Sequence, residues 1–243
     1  KWLRDLSSEQ TPEIGMPQVV PNILGGSQDG SAFWGDVATV LPWTLYRVYG
    51  DKRLLAAQYP SMVHWVQFIE AHCGENGLWQ TGFQYGDWLG LDSEQNGLSD
   101  ERKGATDDYF AANICFAWSL QILADTARVL GKLEEERRWT MRREALIRAF
   151  REEYVTPAGR LVSETQTALV LALHFGMVPE EQRARLVQLP CRTAAATMWR
   201  ANCCSRRIPP AGCMRSRWGP HHLGAVELHP ARRQLQPRQH EQP

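Results

Sequence analysis

The sequence predicts an all-α chain built from helical hairpins, and three observations predict it. Apolar residues recur at helical spacing in successive stretches between Asp36 and Leu189, the period-two alternation of half-buried strands is absent, and the stretches fall into pairs joined by loops. The segment at 73–105 is the one long connection, and no repeat of solenoid period runs through the chain.

Each element has a local reason. Residues 36–49 form an amphipathic stretch that Asp36 is placed to cap and Gly50-Asp51 to end, with Pro42 expected to bend or break it. Residues 52–72 carry Leu54, Leu55, Tyr59, Met62, Val63, Val66 and Ile69 at helical spacing, and Pro60 is expected to divide them into two short helices. The clearest helix runs over 106–130. Tyr109, Phe110, Ile114, Ala117, Leu120, Leu123, Ala127 and Leu130 keep one face apolar, Asp107 and Asp108 suit its first turn, and Gly131 stops it. Residues 132–154 form its charged partner, with Trp139, Leu146, Ile147 and Phe150 facing inward. Residues 163–175 and 179–189 supply a last pair, with Ser163 and Gln166 read as a capping box and Pro179 in a first-turn position.

The bulk properties exclude several function classes. The 243 residues are 43% hydrophobic and 22% charged, an ordinary globular balance, and the formal net charge is zero. No nucleic-acid or membrane partner is expected, since there is neither a basic surfeit nor an apolar run near the ~20 residues that span a bilayer. The start, KWLRDLSSEQ, reads as a fragment boundary and leaves the compartment open, the cytoplasm being preferred. Cys191, Cys203, Cys204 and Cys213 crowd the C-terminal stretch without zinc spacing, so no metal and no cofactor is expected.

Two motifs carry chemistry. FWGDVATVLPWTLYRVYG at 33–50 sets Trp34 beside Asp36, and FQYGDWL at 83–89 sets Tyr85 and Trp88 around Asp87. A sugar offers apolar C–H faces and a rim of hydroxyls, so a site for one needs flat aromatic walls and carboxylates that accept O–H bonds. The plain alternative makes Trp34 and Trp88 core aromatics and Asp36 a helix cap. Glu75, Asp92, Glu94, Asp100 and Glu101 in the long loop read first as solvated surface carboxylates.

With KWLRDL, VVPNIL, the helix beginning ATDDYFA at 105 and QTALVLALHFGMVPEE at 166–181, these motifs resemble the catalytic domain of bacterial-type alpha-L-rhamnosidases, glycoside hydrolase family 78. The resemblance covers residues 1–189. It implies part of an (α/α)6 toroid, the six-hairpin glycosidase type, and hydrolysis of terminal alpha-L-rhamnosides by an inverting acid/base mechanism. The implied partner is a rhamnose-containing glycoside or oligosaccharide. Trp34 and Trp88 would wall the sugar, Asp87 would bond a hydroxyl or fix its loop, Tyr85 would donate to either, and Asp36 would assist the site or cap the helix. The family's general acid lies in a segment upstream of Lys1 and its base beyond the C-terminal stretch, so no catalytic residue is assigned within this chain. Another six-hairpin glycosidase, or a catalytically dead helical module, remains the alternative.

Residues 190–243 differ in character and are read as an aberrant, poorly ordered tail. Suitable codons for residues 221–243, read one base later, spell TTWERWNSIPPDGNFNPGNMNS, which resembles the family's sequence ahead of its base. Residues 198–218 give a second family-like segment in the remaining frame. The tail is therefore expected to reflect shifts of reading frame.

Overall fold

In a computed structural model, residues 1–23, 30–88 and 104–188 are described; the tail and its expected frame shifts lie outside them. Among the described residues, seven helices follow in order: α1 (Trp2–Ser8), α2 (Val37–Tyr49), α3 (Lys52–Ala71), α4 (Asp108–Val129), α5 (Leu133–Tyr154), α6 (Gln166–His174) and α7 (Glu180–Gln188). Among the described residues there is no strand, only isolated bridges such as Cys73 with Trp79 and Val155 with Leu161. None of these helices is long and apolar enough to cross a membrane.

The helices pair as α2–α3, α4–α5 and α6–α7, with short turns between partners. Gly50 ends α2 in the left-handed conformation (φ 69°) that an L side chain adopts only at a cost, and Asp51 then caps α3 by accepting from the amides of Arg53 and Leu54. α4 and α5 run antiparallel. Phe110 at the start of α4 meets Phe150 and Tyr154 at the end of α5, and Arg128 at the end of α4 meets Glu136 near the start of α5. Three arginines secure the last pair: Arg143 donates to the Phe175 carbonyl, Arg151 to that of Met177, and Arg183 to that of Leu173.

α4 is buried on almost every side, not along one stripe as its spacing suggested, because α2, α3, α5 and α6 all pack against it. Small residues make that closeness feasible, with Ala112, Ala117 and Ala127 fully enclosed. Its buried Phe110, Ile114, Phe116, Leu120 and Leu123 each contribute about 1.5–3 kcal/mol. The expected faces of α3 and α5 are buried, with Leu55, Tyr59, Met62, Val66 and Ile69 on one and Trp139, Leu146, Ile147 and Phe150 on the other. The Trp139 indole N–H donates to the Tyr59 hydroxyl across 2.9 Å, joining them.

Two boundary expectations are corrected. Pro60 does not divide the 52–72 stretch; α2 also runs through Pro42 without a break, the arm of that expectation the helix bounds decide. Each proline forfeits one ladder bond at about 3 kcal/mol, which the burial of neighbours such as Leu55, Met62 and Trp65 offsets. Ser163 does not cap α6. The cap is Thr165, whose hydroxyl accepts from the Ala168 amide at 3.1 Å, while the Ser163 side chain is buried two residues earlier. Asp107 caps α4 as expected, accepting from the Phe110 amide at 2.7 Å.

Candidate functional site

The N-terminal ends of α4 and α6 meet through Thr106 and Thr165, and the residues ahead of α2 reach the connection that leads into α4. Trp34 precedes α2, Tyr85 to Trp88 lie in the connection that leads into α4, and Thr165 caps α6. A hydrogen-bonded chain links the latter two ends. The Ala168 amide donates to Thr165 Oγ1, Thr165 lies 2.6 Å from Thr106 Oγ1, and Thr106 donates to Asp87 Oδ2 at 3.1 Å. Because Thr106 spends its proton on Asp87, Thr165 is the donor to Thr106, and the chain has one direction. Helix N-termini carry partial positive charge, so an anionic side chain is well placed here.

Three aromatic rings from the two motifs come together. Trp34 lies 4.4 Å from Tyr85 and 5.5 Å from Trp88 between ring centroids, and Tyr85 stacks on Trp88 at 5.3 Å and 22°. Phe83 meets Tyr85 edge-on at 4.8 Å. The plain reading of Trp34 and Trp88 as core residues does not describe this cluster: Trp88 is 53% exposed and Trp34 half-buried, whereas Trp65, Trp79 and Trp139 are enclosed. Exposed aromatics gathered in one place mark a binding surface better than scattered ones do. Tyr85 is the middle ring of the cluster, a role its sequence position did not disclose.

Asp36 behaves unlike the cap it was expected to be. Its carboxylate takes no bond from the amides of α2. It is 1% exposed and accepts instead from the Phe33 amide at 2.8 Å, the Trp65 indole at 3.0 Å and the Ser119 hydroxyl at 2.8 Å. Thr39 closes the network 2.7 Å from Ser119. Burial pushes the Asp36 carboxyl above its ordinary range, although the Trp65 and Ser119 donors pull the other way. The neighbouring Cys115 thiol is pushed well above its ordinary value by burial, with the Asp36 charge adding to the effect.

The two motif loops are tied to each other and to α4. Gln84 Oε1 accepts from the Ala32 amide at 2.8 Å, bridging the loops directly. Asn113, fully buried on α4, accepts from the Trp79 amide at 2.9 Å and donates to the Trp79 carbonyl at 3.0 Å. The Trp65 ring lies against Gly35 so closely that a Cβ there would sit 2.2 Å from a ring carbon. Beside Phe33 opens a largely apolar cleft of about 270 Å³, lined also by Asp36, Val37, Val40, Leu41, Thr44 and Trp118. Of the loop carboxylates considered earlier, Asp92, Glu94, Asp100 and Glu101 lie outside the described residues, and Glu75 is exposed.

Residues 1–200 match the family described as the bacterial alpha-L-rhamnosidase 6 hairpin glycosidase domain. The chain belongs to that family. It is 35% identical over 183 residues to an alpha-L-rhamnosidase of Streptomyces avermitilis, covering 75% of this chain and 16% of the relative. To one of Alteromonas sp. (strain LOR) it is 34% identical over 183 residues, 74% of this chain and 20% of the relative. Among solved structures, the native alpha-L-rhamnosidase of Aspergillus terreus superposes with a TM-score of 0.71 at 30% identity, covering 83% of this chain and 22% of that one. The Streptomyces avermitilis enzyme complexed with L-rhamnose gives 0.66 at 34%, covering 82% and 18%. The chain thus spans about a fifth of the length of the relatives it matches, and its all-α hairpin architecture is that of the six-hairpin glycosidases.

Proposed function

We propose that this chain forms the sugar-holding part of an alpha-L-rhamnosidase, an enzyme that hydrolyses terminal alpha-L-rhamnosides of glycosides or oligosaccharides with inversion. The half-exposed cluster of Trp34, Tyr85 and Trp88 beside an anchored Asp87 carries the reading. Rhamnose is a deoxy sugar whose methyl group and C–H faces suit ring walls, and its hydroxyls suit a fixed carboxylate. The related Streptomyces avermitilis enzyme, solved with L-rhamnose, supports the choice of sugar.

Inversion requires a general acid and a general base roughly 6.5–9.5 Å apart, with room for water between them. Asp36 is enclosed by three donors and Asp87 is held by Thr106, so neither serves as acid or base in this reading. The family resemblance assigns the general acid to a segment upstream of Lys1 and the base to one beyond the C-terminal stretch, so in this reading the chain binds the sugar without turning it over. Titration with L-rhamnose, followed by tryptophan fluorescence, tests the binding. Trp34→Ala and Trp88→Ala are each expected to weaken it about tenfold, the loss of one stacking wall. Unchanged affinity in both variants overturns the proposed pocket. Release of nitrophenol from an aryl alpha-L-rhamnoside by this chain alone overturns the assignment of the acid and base elsewhere.

A further inference from the structure

We infer that Asp36 is a positioning residue for the sugar wall, acting through the backbone of Phe33 without touching the sugar; this rests on the reading of Trp34 as that wall. Phe33 has φ 67°, and among the described residues it is the only non-glycine in the left-handed region. An L residue with a large side chain occupies that region only where its surroundings impose it. The imposing contact is visible. The Phe33 amide donates to Asp36 Oδ2 at 2.8 Å, three residues ahead in sequence. Asp36 is itself immobilised through its other oxygen, which accepts from Trp65 on α3 and Ser119 on α4.

The consequence falls on the next residue. With Phe33 turned left-handed, the chain reverses before α2, and Trp34 is delivered to 4.4 Å from Tyr85 and 5.5 Å from Trp88. In the ordinary right-handed or extended regions, Phe33 would aim the following peptide elsewhere, and the Trp34 ring would leave the cluster. The carboxylate thus transmits the positions of two packed helices to one half-buried ring. Its 1% exposure and three filled hydrogen bonds fit a residue that acts through its neighbours.

The test uses the full chain with L-rhamnose as probe and two readouts. One is affinity. The other is the part of the near-ultraviolet circular-dichroism couplet that Trp34→Ala removes, which reports the Trp34–Trp88 geometry without any ligand. Asp36→Asn keeps the shape but has one acceptor oxygen; the two donors Trp65 and Ser119 hold it on their side, so the amide NH2 faces the Phe33 N–H, which loses its partner. We expect that couplet to vanish and the rhamnose affinity to fall roughly tenfold. Phe33→Gly accepts positive φ without help. The double variant Asp36→Asn/Phe33→Gly is therefore expected to regain the couplet and the affinity of Phe33→Gly alone, which a general loss of packing would not produce.

If Asp36→Asn does not fold, Phe33→Gly and Phe33→Val in the Asp36 background decide. Glycine keeps the couplet, and the β-branched valine loses it. An intact couplet in Asp36→Asn, a double variant no better than Asp36→Asn, equal couplets for glycine and valine, or a wild-type chain with no Trp34-dependent couplet each overturns the inference. A couplet that follows these predictions while Trp34→Ala leaves affinity unchanged upholds the positioning by Asp36 and overturns the sugar wall instead.

Discussion

Asn113→Ala should release the base of the loop that carries Tyr85, Asp87 and Trp88. Asn113 is fully buried and satisfies both the amide and the carbonyl of Trp79, a residue itself only 1% exposed. Alanine supplies neither partner, and the enclosed site gives water little access. Each stranded backbone group costs about 1–3 kcal/mol, so allowing for relaxation the pair costs about 3 kcal/mol. The third bond, from Asn113 to the Tyr109 carbonyl, adds little because that carbonyl already serves the ladder of α4. A loss of about 3 kcal/mol in local opening free energy speeds amide exchange by roughly 100-fold, since 1.4 kcal/mol is a factor of ten. Hydrogen exchange read by mass spectrometry should show this in peptides covering residues 73–88, with α5 peptides as the internal reference. Acceleration below about fivefold, or equal acceleration throughout α5, would refute the clamp.

Three further outcomes follow from the same geometry. Burial holds the Asp36 carboxyl above 3.8, so its contribution to stability is complete below that value and is lost as pH rises through the raised folded pKa. Glu135, lowered chiefly by the Tyr59 hydrogen bond, and Glu164, lowered chiefly by Arg160, contribute above 4.5 and lose that contribution as pH falls through their depressed values. The stability of the wild type minus that of Asp36→Asn, from urea unfolding, should therefore be more favourable at pH 4 than at pH 7; the opposite order contradicts the burial argument. Gly35→Ala drives a Cβ into the enclosed Trp65 ring and should cost at least about 1–3 kcal/mol in the same assay, and a variant as stable as the wild type would mean the ring yields. Burial pushes the Cys73 thiol up to about 11 and that of Cys115 well above 9, so iodoacetamide at pH 8 should label neither until urea is added. Prompt labelling of Cys115 in the folded chain would count against its enclosure.

Local chemistry was legible in the sequence and remote partnership was not. The inward faces of α3 and α5 could be read because apolar spacing alone decides which side of an isolated helix is buried. The many-sided burial of α4 could not, since it depends on how many neighbours arrive. Pro60 misled because the penalty of a proline is local while the burial that offsets it is tertiary. In the site, the WGD and YGDWL motifs named the three rings that the fold gathers within 4.4–5.5 Å of one another. Asp36 was misread as a cap because its partners Trp65 and Ser119 lie 29 and 83 residues away, and no local pattern announces them. Thr106 and Thr165 escaped notice for the same reason, being 59 residues apart and joined only through packing. Gln84 sat in plain view inside a motif, but its amide acquires meaning only from Ala32, 52 residues distant.

The connections divide unevenly between the two ends of the helical pairs. Gly50–Asp51 and Leu130–Lys132 turn the chain tightly at one end, whereas the described residues 72–88, 104–107 and 155–165 form longer connections at the other, where the aromatic cluster stands. Economy is confined to one pole and freedom to the other. A scaffold so arranged lets substrate preference drift through its loops while selection for folding acts on a separate set of positions. Trp34 is the exception. Its setting is dictated from within by Asp36, so it should resist the drift that its neighbours in the long loop tolerate.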